Sequence, residues 1–227
     1  MILIDQLLVG SVVPYGPRGL PSAIGKAPVA EKCWLGLEGF INDEQGDRKH
    51  HGGPEKAVHH YDFDHYQLWR EEIGDKEILR QPGAFGENLT TRGISEDTIA
   101  IGDIFKLGGA VIQVSQGRQP CWKLNIRFDT KDMALRLQKT GRTGWYYRVL
   151  QQGYVQAGDT LQLADRLAPE WTIHKTWHVL YVDTLNHDLL SQMASLEPLA
   201  DSWRQYASKR LGSGKVEDWS RRLQGDA

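Results

Sequence analysis

Apolar and polar residues alternate through much of the first two-thirds of the chain, the period-2 pattern of strands with one buried face. Trp145, Tyr147 and Val149 alternate with Tyr146 and Arg148, and Ala110-Val111-Ile112-Gln113-Val114-Ser115 is a compact strand run behind the turn pair Gly108-Gly109. The segments Ile101–Leu107 and Ala157–Leu163 both set Gly-Asp before an alternating strand. Repeated turn chemistry explains that likeness without a duplicated unit. Helical spacing interrupts twice. Tyr66, Trp69 and Ile73 form one stripe behind a cap at Asp62 or Asp64 and end at Gly74; Met133, Ala134 and Leu137 form another, opened by Asp129–Asp132 and closed by Gly141. Short strands between glycine turns predict a mainly β, barrel-like fold over a parallel α/β design.

Near Pro169 the period lengthens to that of helices. Thr172 is placed to cap a helix carrying Ile173, Trp177 and Leu180, and a second helix fits Asp188–Leu196. A third, Asp201–Leu211, sets Trp203, Tyr206, Ala207 and Arg210 at helical spacing with Gly212 as its stop. Beyond it Val216, Trp219 and Leu223 share a stripe beside Arg221 and Arg222, an amphipathic end expected to dock on the body rather than on a membrane. The expected division is therefore 1–166, a β domain, and 167–227, a small three-helix segment with an amphipathic tail.

Composition narrows the classes. At 227 residues, with 40% hydrophobic and 25% charged positions, the chain can bury a core without disulfides. A net charge of −2 with no basic block leaves no electrostatic footprint for nucleic acid, so any anion site must be local. No apolar run is long enough to span a bilayer, and Met1-Ile2-Leu3-Ile4-Asp5 lacks the cation-then-apolar order of a cleaved leader. Two cysteines, Cys33 and Cys121, make neither a disulfide framework nor a CxxC site, so a cytoplasmic, reducing location is expected.

Four stretches carry candidate chemistry. In Ser115-Gln116-Gly117-Arg118-Gln119-Pro120-Cys121-Trp122-Lys123 the thiol lies between Arg118 and Lys123, and nearby cations favour thiolate over thiol. Pro120 stiffens this loop. A free cysteine is equally a small buried hydrophobe, and the local sequence leaves both readings open. His50-His51-Gly52-Gly53-Pro54-Glu55-Lys56-Ala57-Val58-His59-His60 offers four imidazoles, but their spacing matches no metal-binding arrangement and adjacent strand residues face opposite ways. Gly52-Gly53 with Lys56 reads as an anion-binding nest, or else as a turn between strands. Phe85-Gly86-Glu87-Asn88 follows a glycine-rich turn, and Ser22 with Lys26 in the run Leu20–Lys26 has groups that bind phosphate.

Together, the runs LPSAIGK, HHGGPEKAVHHY, FGENL, GDIF and VSQGRQPCWKLN, with the tail RLGSGKVEDWSRRL, resemble the MOSC-domain proteins, and within them the YiiM-like subgroup with its C-terminal three-helix segment. The resemblance spans almost the whole chain. It implies a molybdenum cofactor (molybdopterin) site in which Cys121 is the metal ligand and the residue on which catalysis depends. Ser22, Lys26, His51, Gly52, Gly53, Lys56 and Arg118 are then the candidates for the pterin phosphate. Gln116, Glu87 and Asn88 are candidates for the pterin's polar edge or for holding the loop that meets it. The implied activity is reduction of small N-hydroxylated compounds, such as hydroxylaminopurine-type base analogues, to amines, a detoxification role. A proton from His51 or His60 is one option for the leaving oxygen, against a purely structural role for either. With no dinucleotide, flavin or iron–sulfur motif in the chain, the electrons are expected from a separate reductase or carrier. The alternatives are a cofactor carrier without turnover and a thiol hydrolase with Cys121 as nucleophile.

Overall fold

The computed structural model describes residues 2–47 and 52–225. Its central element is a nine-stranded sheet in the order Ile2–Leu3, Thr160–Arg166, Asp103–Leu107, Ala110–Gly117, Trp145–Gln151, Val58–Asp62, Leu89–Thr91, Gln6–Val9, Ala27–Pro28. The N-terminal segment curls this sheet. Ile2–Leu3 pairs at one end and Gln6–Val9 near the other, so the two residues between them must span the gap. The Ile4 amide accordingly donates to the Asp159 carbonyl, and the next amide, of Asp5, donates to Thr90. No strand pairing closes the ring among the described residues, and helix (about 29%) is as abundant as strand (about 27%). The expected mainly β barrel is thus corrected to a curled, open sheet in a mixed α and β fold. The strands are short, many of two to five residues, and turns take up the rest.

The two Gly-Asp segments become neighbouring antiparallel strands, Asp103–Leu107 beside Thr160–Arg166. Each aspartate accepts the amide three residues back, Ala100 to Asp103 Oδ2 and Gln156 to Asp159 Oδ2, both at 3.0 Å. Shared turn chemistry accounts for the likeness, since an Asp side chain readily bonds nearby backbone. Val58–Asp62 and Leu89–Thr91 run parallel, and the intervening helix Asp64–Ile73 supplies the crossover that parallel pairing needs. Tyr66 and Trp69 are the buried stripe of that helix, and they pack with Tyr61, Phe85, Leu124 and Phe128 in a second core cluster.

The helices Ile173–Tyr181, His187–Ala194 and Asp201–Ser213 complete the fold. Thr172 caps the first by accepting the Lys175 amide at 3.0 Å, and Asn186 caps the second by accepting the Leu189 amide at 3.1 Å. The third runs through Gly212 and stops at Gly214. There the backbone turns left-handed (φ +62°) and the amide reaches back to Arg210. Trp203, Val179, Leu180 and Met193 share the main core with Phe105, Ile112, Trp145 and Tyr147. These three helices and the sheet therefore share the main core cluster. Among the described residues no helix is long and apolar enough to cross a membrane.

Candidate functional site

Strand Ala110–Gly117 is irregular near its end: the register against Trp145–Gln151 shifts between Val114 and Gln116. Ser115 fills the irregularity, its hydroxyl donating to the Glu55 carbonyl at 2.6 Å and lying 3.1 Å from that of Tyr146. Such bulges bend a strand and re-aim the residues beyond them. The chain then leaves the sheet, with the Arg118 amide tied to the Gly144 carbonyl at 2.9 Å. Gln119, Pro120 and Cys121 form a loop that ends in the short helix Lys123–Arg127. Cys121, 9% exposed, lines a pocket that opens to solvent.

One wall is a cross-strand pair. Tyr146 stands opposite His59 in the ladder, while Trp145 stands opposite His60. Because successive strand residues face opposite ways, His59 and Tyr146 line the pocket, and His60 lies against Trp145 with ring centroids 4.5 Å apart. Burial, reinforced by the nearby Arg118 charge, holds His59 well below the usual histidine range, so its imidazole is neutral. Burial also raises the Tyr146 hydroxyl, with Arg118 opposing. Gly144 permits this packing. Its φ is +73°, and an added Cβ would sit 2.4 Å from the His60 carbonyl and 3.0 Å from His59 Nε2.

The other wall is a charge node. Lys26 is ion-paired with Asp43, and Asn88 Nδ2 donates to Asp43 Oδ2 at 2.8 Å. Asn88 also donates to the Leu8 carbonyl and accepts the His59 amide at 3.0 Å, so one side chain joins three distant segments. Burial lowers the Lys26 ammonium, and Asp43 counteracts the loss. Lys56 behaves similarly, lowered by burial and supported by Asp47. Lys123 closes the rim, its ammonium donating to the Pro21 carbonyl at 2.9 Å.

The structure thus gathers Ser22, Lys26, Lys56, Asn88, Arg118 and Cys121 around one cavity. It does not bring the others there. Glu87 turns inward, accepting the Gly83 amide at 2.7 Å, the Phe85 amide at 3.0 Å and the Tyr66 hydroxyl. It holds the loop whose Phe85 and Gly86 do line the pocket. Gln116 is fully buried, its amide donating at 3.4 Å to Gly117. Gly52 and Gly53 lie outside the lining, with Gly53 opening the short turn Pro54–Lys56 and its carbonyl accepting the Lys56 amide. His51, like His50, lies outside the described residues. His60 is structural: its ring nitrogens meet Tyr147 and Thr91 hydroxyls at 3.0 and 2.8 Å. Reading the sequence missed Asp43, His59 as a lining residue, and Tyr146. The alternation that places Tyr146 and His59 on one face was present, but the pairing of their strands was not.

The curled sheet thus sets a thiol loop at the end of one strand, facing a cleft lined by Lys26, Lys56, Arg118, Lys123 and the Asn88 amide. The model of the MOSC domain family matches residues 47–162, and that of the YiiM-like, 3-alpha helix domain matches 171–214. The chain belongs to the MOSC-domain family and carries the YiiM-like helical extension. It is 43% identical over 224 residues to Protein YiiM of Escherichia coli (strain K12), covering 97% of both chains. The crystal structure of YiiM from Geobacillus stearothermophilus superposes with a TM-score of 0.79 at 34% identity, over 93% of this chain and 100% of that one. A protein named Reductase from Gibberella moniliformis is 38% identical over 195 residues, 86% of this chain but 34% of its own length.

MOSC domains are molybdenum cofactor-binding domains. The residues present fit that group. Arg118 Nη1 and His59 Nε2 are buried at the pocket with no hydrogen-bond partner among the described residues, which leaves a donor and a second polar nitrogen for a ligand. Cys121 adds a soft sulfur of the type that molybdenum accepts. Among the described residues no cluster of three or more His, Cys, Asp or Glu side chains could hold a metal ion.

Proposed function

We propose that this protein is a molybdenum cofactor-dependent reductase that converts small N-hydroxylated compounds, hydroxylaminopurine-type bases among them, to amines. The observation that carries the reading is a buried thiol, Cys121, lining the same cavity as Arg118 and His59, each of which keeps a buried side-chain nitrogen without a hydrogen-bond partner among the described residues, in a MOSC chain. Cys121 is assigned as the protein's sulfur ligand. Arg118, Lys26, Lys56 and Ser22 bind the phosphate end by charge and hydrogen bonding, and Asn88 orients the wall through Asp43. When bound, the cofactor supplies two-electron redox chemistry.

The reaction consumes two electrons and two protons: the N–O bond breaks, the nitrogen takes one proton to become the amine, and the hydroxyl takes the other and leaves as water. The electrons come from a separate reductase or carrier. The fungal protein named Reductase, in which the related stretch is about a third of a longer chain, supports a reductive role. The protein's own part is to hold the group and to line the pocket with the neutral His59 imidazole and the Tyr146 ring.

Molybdenum and pterin analysis of wild type and Cys121→Ser, with reduction of a hydroxylaminopurine by a chemical reductant, tests the proposal. Wild type is expected to hold molybdenum and turn over, while the variant loses both. Full metal content and activity in Cys121→Ser would overturn it, and bound molybdenum without turnover in wild type would make the protein a carrier.

A further inference from the structure

The loop that carries Cys121 is held from outside the sheet. Gln119 Nε2 donates to the Tyr181 hydroxyl at 3.0 Å, a contact from the last residue of helix Ile173–Tyr181. The Arg222 guanidinium donates to the Pro120 carbonyl and to Gln138 Oε1. The Trp122 amide donates to the Arg222 carbonyl at 2.8 Å, and Asn125 Nδ2 donates to the Leu223 carbonyl at 2.9 Å. Residues 119, 120 and 122 are thus each tied by a hydrogen bond to the C-terminal part of the chain, on both sides of the thiol.

That part is itself anchored. Trp219 packs edge-on against Tyr181 and Tyr206, and Arg222 lies 4.8 Å above the Trp219 ring. Arg210, fully buried at the end of the third helix, donates to the Leu180 carbonyl at 3.0 Å and to Glu217 at 2.7 Å. This fixes where the tail leaves the helices. A guanidinium is a planar fork that holds two acceptors in fixed relation, so Arg222 orients Pro120 as well as holding it. The region matched by the MOSC model ends at residue 162, before any of these groups.

We infer that the C-terminal helices and tail are a positioning element of the Cys121 site, with Arg222 and Tyr181 as positioning residues that fix the direction of the thiol. The inference rests on the reading of Cys121 as cofactor ligand, and the tail acts on that ligand through the main chain of its neighbours.

The test uses full-length protein. Iodoacetamide modification of Cys121 in cofactor-free protein is timed by peptide mass spectrometry, which separates it from Cys33, and retained molybdenum is measured on loaded protein. Arg222→Ala is expected to speed Cys121 modification about tenfold and to lose most of the molybdenum, with an unfolding midpoint within a few degrees of wild type. Arg222→Lys, which keeps charge but not the fork, falls between. Wild-type modification and retention in a folded Arg222→Ala protein overturns the inference. If that variant unfolds, Tyr181→Phe decides, because it removes only the hydroxyl that accepts Gln119: a few-fold faster modification supports the inference, and an unchanged rate overturns it. Cys121→Ser, run alongside, separates the two readings. Full molybdenum in that variant sinks the ligand assignment while the modification rates still report on positioning.

Discussion

His59 and His60 are adjacent in the chain and have opposite surroundings, because a strand sends neighbours to opposite faces. His60 is enclosed between Tyr147 and Thr91, and burial drives it down to about 3 from 6.5. Its proton therefore favours the unfolded chain: stability is full above pH 6.5 and falls as pH drops from 6.5 toward 3, by about 1.4 kcal/mol per pH unit for the one group. His60→Gln is expected to flatten that slope by one proton, read as urea stability at pH 4.5 and 6.5. The Lys26–Asp43 pair gives a second expectation at this scale. Asp43→Ala strands a buried ammonium and should cost about 3–5 kcal/mol, while the double change Lys26→Met with Asp43→Asn, which removes both charges and keeps an acceptor at that position, recovers part of it, both by chemical denaturation. The site was legible where charge or sulfur stood out, as at Cys121, Arg118, Lys26 and Lys56. It was not legible at Asp43 or Tyr146, whose place depends on pairings between segments far apart. Glu87 takes the second of the two roles expected of it, holding by the Gly83 and Phe85 amides and the Tyr66 hydroxyl the loop that lines the pocket.

The elements most readable in the sequence are those with local causes. The Thr172 cap, the Tyr66/Trp69 stripe and the Gly-Asp turns depend on residues a few positions apart, and all appear in the structure. Strands of two or three residues, such as Leu20–Ser22 and Gly39–Phe40, have no periodicity to read. The parallel pairing and the N-terminal switch between sheet ends are long-range facts with no local signature. Gly212 shows how a local rule fails by two residues: a glycine can end a helix, but the third helix continues until Gly214 adopts the left-handed shape. At this scale the Gly83–Glu87 loop is the informative target. Glu87→Gln keeps the size but swaps one accepting oxygen for a donor facing donors. A loss of about 2 kcal/mol is expected, with cofactor retention falling in parallel because Phe85 and Gly86 line the pocket.

At the scale of the whole molecule, sheet and helices share one core, and Trp203 is its hinge pin. It is 1% exposed and packs on Gly117, where an added Cβ would lie 2.9 Å from the indole. Trp203→Ala should cost about 3–5 kcal/mol and lower a single unfolding transition, with near-UV and far-UV circular dichroism moving together. Two separate transitions would mean that the helices melt on their own. The charge node beside the pocket has a consequence for kinetics. Lys26 is matched by Asp43, Lys56 faces Asp47, Glu44 stands on the same rim, and the whole chain carries −2. Among the described residues the lining thus sets three carboxylates against four cations, so an anionic ligand approaching from solution meets only weak net attraction until it touches Arg118 and Lys123. Its rate of uptake should change less than roughly threefold between low and physiological salt, where a steered encounter would slow far more. Such a cleft grips what reaches it and draws in little from a distance.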